Sequence, residues 1–161
     1  MKIIHLLILL TLITVTKCFS QSRALTIDSN LNSINKTKLC TEFQYYHCID
    51  KCTASFSSDT LKIEFDSFTG STLDDLTVSI IAGNVQTAYR TVYKASAPNT
   101  RNEWIPVHQS VTISSDKFTI GKKIRGKIEV EFQEIYIDQH GERQETQIIK
   151  FSGPFVARIK S

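Results

Sequence analysis

LKIEFD at residues 61–66 and KIRGKIEVEF at residues 123–132 decide the fold class of this chain. In the first, Leu61, Ile63 and Phe65 alternate with Lys62, Glu64 and Asp66. In the second, Ile124, Ile128, Val130 and Phe132 share one parity, and Arg125, Lys127, Glu129 and Glu131 share the other. A period of two puts successive side chains on opposite faces of a pleated strand, one face toward a core and one toward water.

The same signal extends in both directions. Leu76, Val78 and Ile80 alternate with Thr77 and Ser79, and residues 85–94 are rich in β-branched and aromatic types. Shorter runs at 103–107, 110–114, 117–120, 147–151 and 155–159 complete the set. Turn chemistry separates them: Thr69-Gly70-Ser71, Gly83-Asn84, Ala97-Pro98-Asn99, Ser115-Asp116, Gly121-Lys122, His140-Gly141 and Gly153-Pro154. Many short strands without an amphipathic helix between them predict an all-β, antiparallel β-sandwich of immunoglobulin-like architecture, with a small antiparallel β-barrel as the alternative. That architecture carries no function by itself.

One register problem stands out. Ile135 and Ile137 lie on the parity opposite to Phe132. Either both faces are buried there, or a bulge near Gln133–Glu134 resets the alternation.

Upstream of the strands the character changes twice. Lys2 precedes the apolar run IIHLLILLTLITV at residues 3–15, which suits a signal peptide and is short for a bilayer span. Cys18 and Ser20 occupy −3 and −1 of a cut that makes Gln21 the new N-terminus, and a cut after Ala24 is the second choice. The expected location is secreted or periplasmic; lipid anchoring through Cys18 is the alternative. Residues 1–20 are thus a signal peptide, 21–39 a polar linker or loosely docked arm, and 40–161 a single β-rich domain. The chain carries 19 Lys+Arg and 16 Asp+Glu; loss of Lys2 and Lys17 leaves 17 against 16, a balance of +1. Such a surface gives no general attraction to nucleic acid or membrane. Asn35-Lys36-Thr37 is the chain's single Asn-x-Ser/Thr triplet.

The three cysteines beyond the leader, Cys40, Cys48 and Cys52, crowd into CTEFQYYHCIDKC at residues 40–52. An exported chain predicts one structural disulfide and one odd thiol, with Cys40–Cys52 the first choice and Cys40–Cys48 the second. Cys40, His47, Cys48 and Cys52 are a conceivable zinc set, but their spacing matches no usual ligand pattern, and no metal or cofactor is assigned.

Two surfaces are candidates for contact. Lys123, Arg125 and Lys127 share the outer parity of their strand, with Lys122 beside them, which makes a cationic stripe for an acidic glycan or protein partner. Tyr89, Tyr93 and Trp104 are aromatic anchors on or near a Pro98 loop, with packing into the core as the competing role for Trp104. No catalytic residue is assigned: His47, His108 and His140 sit in no nucleophile or metal frame, and no phosphate-binding loop or nucleic-acid platform is present. The expected function is an exported, non-catalytic binding or interaction module, an inhibitor or immunity-type protein among them, recognising a glycan or a partner protein. The alternative is a small extracytoplasmic hydrolase with an unrecognised carboxylate or His site.

Overall fold

The computed structural model describes residues 22–41, 47–68, 72–93 and 100–161. The apolar leader with Gln21, the Phe43–Tyr45 segment, the 69–71 turn, Pro98 and the side chains of His47 and Tyr93 lie outside the described residues.

Ten strands run in chain order: β1 (Ser22–Ile27), β2 (Leu39–Thr41), β3 (His47–Ile49), β4 (Thr53–Ser57), β5 (Thr60–Phe68), β6 (Thr72–Ile81), β7 (Asn84–Tyr93), β8 (Arg101–Ile113), β9 (Lys123–Ile137) and β10 (Arg143–Lys160). One turn of 3-10 helix, Ser29–Ser33, follows β1. The strands join in the order β1-β8-β9-β10-β4-β5-β6-β7, with β2 on β10 and β3 on β2. The sheet is mixed rather than purely antiparallel, because β1 runs parallel to β8 and β10 runs parallel to β4. It does not close on itself: β1 and β7 end the path.

Strand β10 makes this arrangement possible. Residues 143–158 pair with β9, while Ile159 and Lys160 pair with β4. The chain therefore carries one continuous strand from the β8–β9 layer to the β4–β7 layer, and the two layers share a core. Leu61, Ile63, Phe65, Leu76 and Val78 from one side meet Val111, Val130, Phe132, Phe151 and Phe155 from the other, all wholly buried. Phe65 and Phe155 touch edge to face with ring centroids 5.8 Å apart, a favoured aromatic geometry. Strand β7 packs back against β8 and β1.

Several expectations change in the folded chain. Gly153-Pro154 is not a turn; it lies inside β10, where the strand passes from β2 to β4. The runs at 103–107 and 110–114 are one strand, β8, and residues 117–120 are not a strand. The expected Gly83-Asn84 turn is centred one residue earlier, on Ala82 and Gly83, both with positive φ, and Asn84 begins β7. Paired positive φ values are what a two-residue hairpin with the natural strand twist requires.

The isoleucine problem resolves by burial on both faces. Phe132 and Glu134 are buried on one face of β9, Ile135 and Ile137 on the other. The register shifts fall on the neighbours, between Pro106 and His108 in β8 and between Glu145 and Ile148 in β10.

Residues 22–38 lie as a strap along the sheet. β1 forms six register pairs with β8, and the ladder is continued by Asp28 N donating to Ile113 O at 2.9 Å. The Asp28 side chain then accepts from Asn30 N and caps the helical turn. Arg125 Nε donates to Ile34 O at 2.9 Å. Thr37 Oγ1 accepts from Val156 N at 3.0 Å and donates to Val156 O at 3.2 Å. Lys38 N donates to Pro154 O. The Thr37 and Lys38 bonds satisfy the bare edge of β10 between its pairing with β2 and its pairing with β4, where unpaired peptide groups would be costly.

Candidate ligand-binding face

The outward residues of β8, β9 and β10 lie in cross-strand rows fixed by the register. From one end the rows read Arg101–Ile137–Arg143, Glu103–Ile135–Glu145, Ile105–Gln133–Ile148, His108–Glu131–Lys150, Ser110–Glu129–Ser152 and Thr112–Lys127–Pro154. Directly opposed residues share a face, so three strands hold these groups on a rigid platform. Inward neighbours Val111, Ile128, Val130 and Phe151 anchor it in the core.

Two concavities open on this face. One, about 460 Å³, is lined by Thr100, Arg101, Ile137, Asp138, Gln139, Gly141 and Arg143. Its two arginines both reach Glu103, at 3.3 and 2.8 Å. Asp138 Oδ1 accepts from His140 N and Glu142 N and so fixes the hairpin at its rim. The other, about 310 Å³, is lined by Ser110, Thr112, Lys127, Ile128, Glu129, Ser152, Gly153 and Pro154. Here Lys127 is exposed, and among the described residues its ammonium enters no ion pair. Glu129 is instead held by Lys150 at 2.5 Å, and Lys150 reaches Glu131 at 3.4 Å. The Lys150 ammonium hydrogen-bonded to Glu129 keeps that carboxyl below its ordinary range, and the same bond raises Lys150. The second groove therefore holds a free cation, a fixed anion and three hydroxyls.

The expected stripe divides into unlike parts. Lys123 and Lys127 are exposed and Lys122 stands in the preceding turn. Arg125 is half-buried and committed to the strap through Ile34 O. Gly126 between them is buried, and a Cβ there would lie 2.3 Å from the Phe155 ring. Sequence reasoning missed Ser110, Thr112 and Ser152. Their signal was present in the alternation of Ser110 and Thr112 with Val111 and Ile113.

The aromatic candidates lie elsewhere. Tyr89 is not a surface anchor: it is 9% exposed, faces the core and donates to Asp74 Oδ1 at 2.6 Å. Trp104 packs edge-on against Tyr89 at 4.8 Å and is half-buried. Among the described residues Trp104 Nε1, Thr91 Oγ1 and Gln109 Nε2 are buried without a hydrogen-bond partner; all three belong to β7 or β8. The Tyr93 side chain is among those not described.

The disulfide is Cys40–Cys48, not Cys40–Cys52. Strands β2 and β3 pair antiparallel and set Cys40 directly opposite Cys48, with Cα atoms 4.0 Å apart. Cys52 is free and half-buried, its Sγ 3.4 Å from both Thr37 Oγ1 and Val156 O. Burial raises its thiol pKa, against smaller opposing effects from those two hydrogen bonds. With two of its sulfurs bonded to each other, the conceivable zinc set is dissolved. Among the described residues no group of three or more His, Cys, Asp and Glu is placed to hold a metal ion.

Asp66 and Asp75 oppose each other across β5 and β6; partial burial, then Asp75 and Glu64, raise Asp66. Arg90 holds Asp75 at 3.0 Å, and neither groove includes these residues. Buried Glu134 accepts from Asn102 Nδ2 at 2.6 Å and Thr146 Oγ1 at 2.5 Å, a structural arrangement at the sheet end. Among the described residues no helix is long and apolar enough to cross a membrane. The disulfide is consistent with an extracellular location. Comparison with protein-family models, with curated proteins and with solved structures found no match, so the site is read from its own geometry.

Proposed function

We propose that this chain is an exported, non-catalytic binding module that takes an acidic glycan on the outer face of β8, β9 and β10. The observation that carries the reading is the groove around Lys127, in which one unpaired ammonium stands among Ser110, Thr112 and Ser152 beside a carboxylate already fixed by Lys150. A sugar acid or sulfate ester supplies the anion for Lys127. Its ring hydroxyls both donate and accept, as serine and threonine hydroxyls do. Lys123, two outward positions from Lys127 along β9 and beyond Arg125, extends the cationic edge. Among the described residues this face has no exposed aromatic for stacking, so recognition there rests on hydrogen bonds and charge. The architecture fits this role as a sandwich-like body: β7 packing on β8 and β1 supports two layers over one core, with one outer face left for a ligand.

Titration calorimetry of the secreted domain with uronate-containing and sulfated oligosaccharides tests the reading. Binding should weaken as salt rises, because exposed charge contacts are screened over about 8–10 Å at ordinary ionic strength. It should fall at least tenfold in Lys127→Ser. Absence of binding to every acidic oligosaccharide, or binding indifferent to both salt and Lys127→Ser, overturns it.

A further inference from the structure

We propose that Asn35 carries an N-linked oligosaccharide, added before the strap docks. The inference rests on the expected export of the chain and is independent of the glycan-binding reading. Asn35-Lys36-Thr37 is the chain's single acceptor triplet. Asn35 and Lys36 are exposed, and among the described residues the Asn35 amide has no hydrogen-bond partner, so it is sterically and chemically available. Thr37 is the reverse: it is 7% exposed, and its hydroxyl is used twice by the Val156 peptide group.

That asymmetry sets an order of events. A transferase must read the hydroxyl two residues beyond the asparagine, and in the folded chain that hydroxyl is shut against β10. The modification therefore belongs to the unfolded or partly folded chain, and folding then hides half of the recognition triplet while leaving the modified half in solvent. The co-reactant is a polyprenyl-diphosphate oligosaccharide. The Asn35 amide nitrogen forms the new bond to the sugar C1, the C1–O bond to phosphate breaks, and the polyprenyl diphosphate leaves with its electron pair. The amide loses one proton to base. No oxidant or reductant is needed.

The test is secretion of the full chain from a eukaryotic cell, followed by peptide-N-glycosidase. Wild type should lose one glycan's worth of apparent mass and migrate faster, and its residue 35 should read as Asp in the released peptide. Asn35→Gln should show no shift and unchanged thermal stability. Thr37→Ser should keep the shift at reduced occupancy, and Thr37→Ala should lose it. In a second arm, unglycosylated protein from a bacterium is offered to transferase and donor, folded or reduced and denatured. Only the denatured form should be modified. Secreted wild type that is insensitive to the glycosidase, with Asn35 unmodified by mass spectrometry, overturns the site. Equal modification of folded and denatured protein overturns the order.

Discussion

The Gln109 side chain completes the seam between β7 and β8: its Oε1 accepts from Thr87 N at 2.9 Å and from Thr87 Oγ1 at 2.8 Å. Thr87 pairs with Val78 of β6 on one side, and on the other its N–H meets an amide oxygen where a neighbouring strand would otherwise stand. Gln109 is 1% exposed, so the bond is shielded from water. The sheet stays open, yet this position on the β7 edge offers no free N–H to another chain.

Gln109→Leu should destabilise the domain by about 1–3 kcal/mol, the cost of leaving a buried donor unsatisfied. Denaturant unfolding followed by Trp104 fluorescence measures it. Gln109→Glu should be destabilised at neutral pH and regain stability as pH falls. Burial favours the neutral carboxyl, so its folded pKa would lie above the unfolded one. A Leu variant as stable as wild type would show that the seam does not depend on this bond.

Two glycines mark close approaches. A Cβ on Gly153, whose φ is +150°, would lie 2.0 Å from the Lys38 backbone oxygen. On Gly126 it would meet Phe155 and Thr112 O at 2.3 and 2.4 Å. Alanine at either position should cost about 1–3 kcal/mol as overpacking. Gly153→Ala should also raise hydrogen exchange at the Lys38 and Val156 amides, because the strap must lift from β10. Gly126→Ala should not.

The contrast between these glycines shows what the sequence could reveal. Alternation exposed β5, β6 and β9, because each has a strictly buried parity. The sequence LTIDSNLNSINK did not look like a sheet element, since its apolar anchors are sparse, Leu25 against the core and Leu31 buried, and backbone bonds with Thr37 and Arg125 supply the rest. Gly153-Pro154 looked like a turn, because its special φ and missing N–H serve a change of strand partner that only the three-dimensional arrangement displays. The disulfide was ambiguous for a similar reason: three-residue strands carry too little pattern to reveal that Cys40 faces Cys48. In the site, the outward position of Lys123, Arg125 and Lys127 followed from parity. The engagement of Arg125 by Ile34 O depended on a segment 91 residues away in sequence.

That engagement separates the three cations by experiment. Lys127→Ser and Lys123→Ser should each change stability by no more than about 0.5 kcal/mol, as exposed substitutions do. Arg125→Ser should lower Tm visibly, because Ile34 O loses its donor and the strap loses one of its ties. Replacing all three together therefore confounds binding with stability. Equal Tm values for the three single variants would show that the Arg125 bond contributes nothing.

The Glu129–Lys150 pair has a defined pH window. Glu129 is lowered from 4.5, so its contribution is complete above that value and is lost as pH falls through the folded pKa. Lys150 is raised from 10.5, so its contribution is complete below that value and is lost as pH rises through its folded pKa. Between those limits the pair is insensitive to pH. In Lys150→Met the Glu129 carboxyl should titrate at higher pH than in wild type, read by carboxyl-carbon NMR. An unchanged Glu129 titration would mean that Lys150 does not hold it.

The last prediction concerns the thiol beneath the strap. Cys52 is the one free cysteine among the described residues, and burial raises its pKa above 9.0. The thiolate is the nucleophile, so the native domain should react slowly with a maleimide at pH 7–8. In denaturant without reductant, one thiol per chain beyond the leader should react at once, and two more only after reduction of Cys40–Cys48. Loosening the strap should narrow the difference: Thr37→Val removes the hydroxyl beside Sγ and the bonds to Val156, and should speed native labelling severalfold. Thr37→Ser should label as slowly as wild type. If Thr37→Val labels no faster, the strap does not guard Cys52. If Cys48 labels without reduction, the Cys40–Cys48 pairing is wrong.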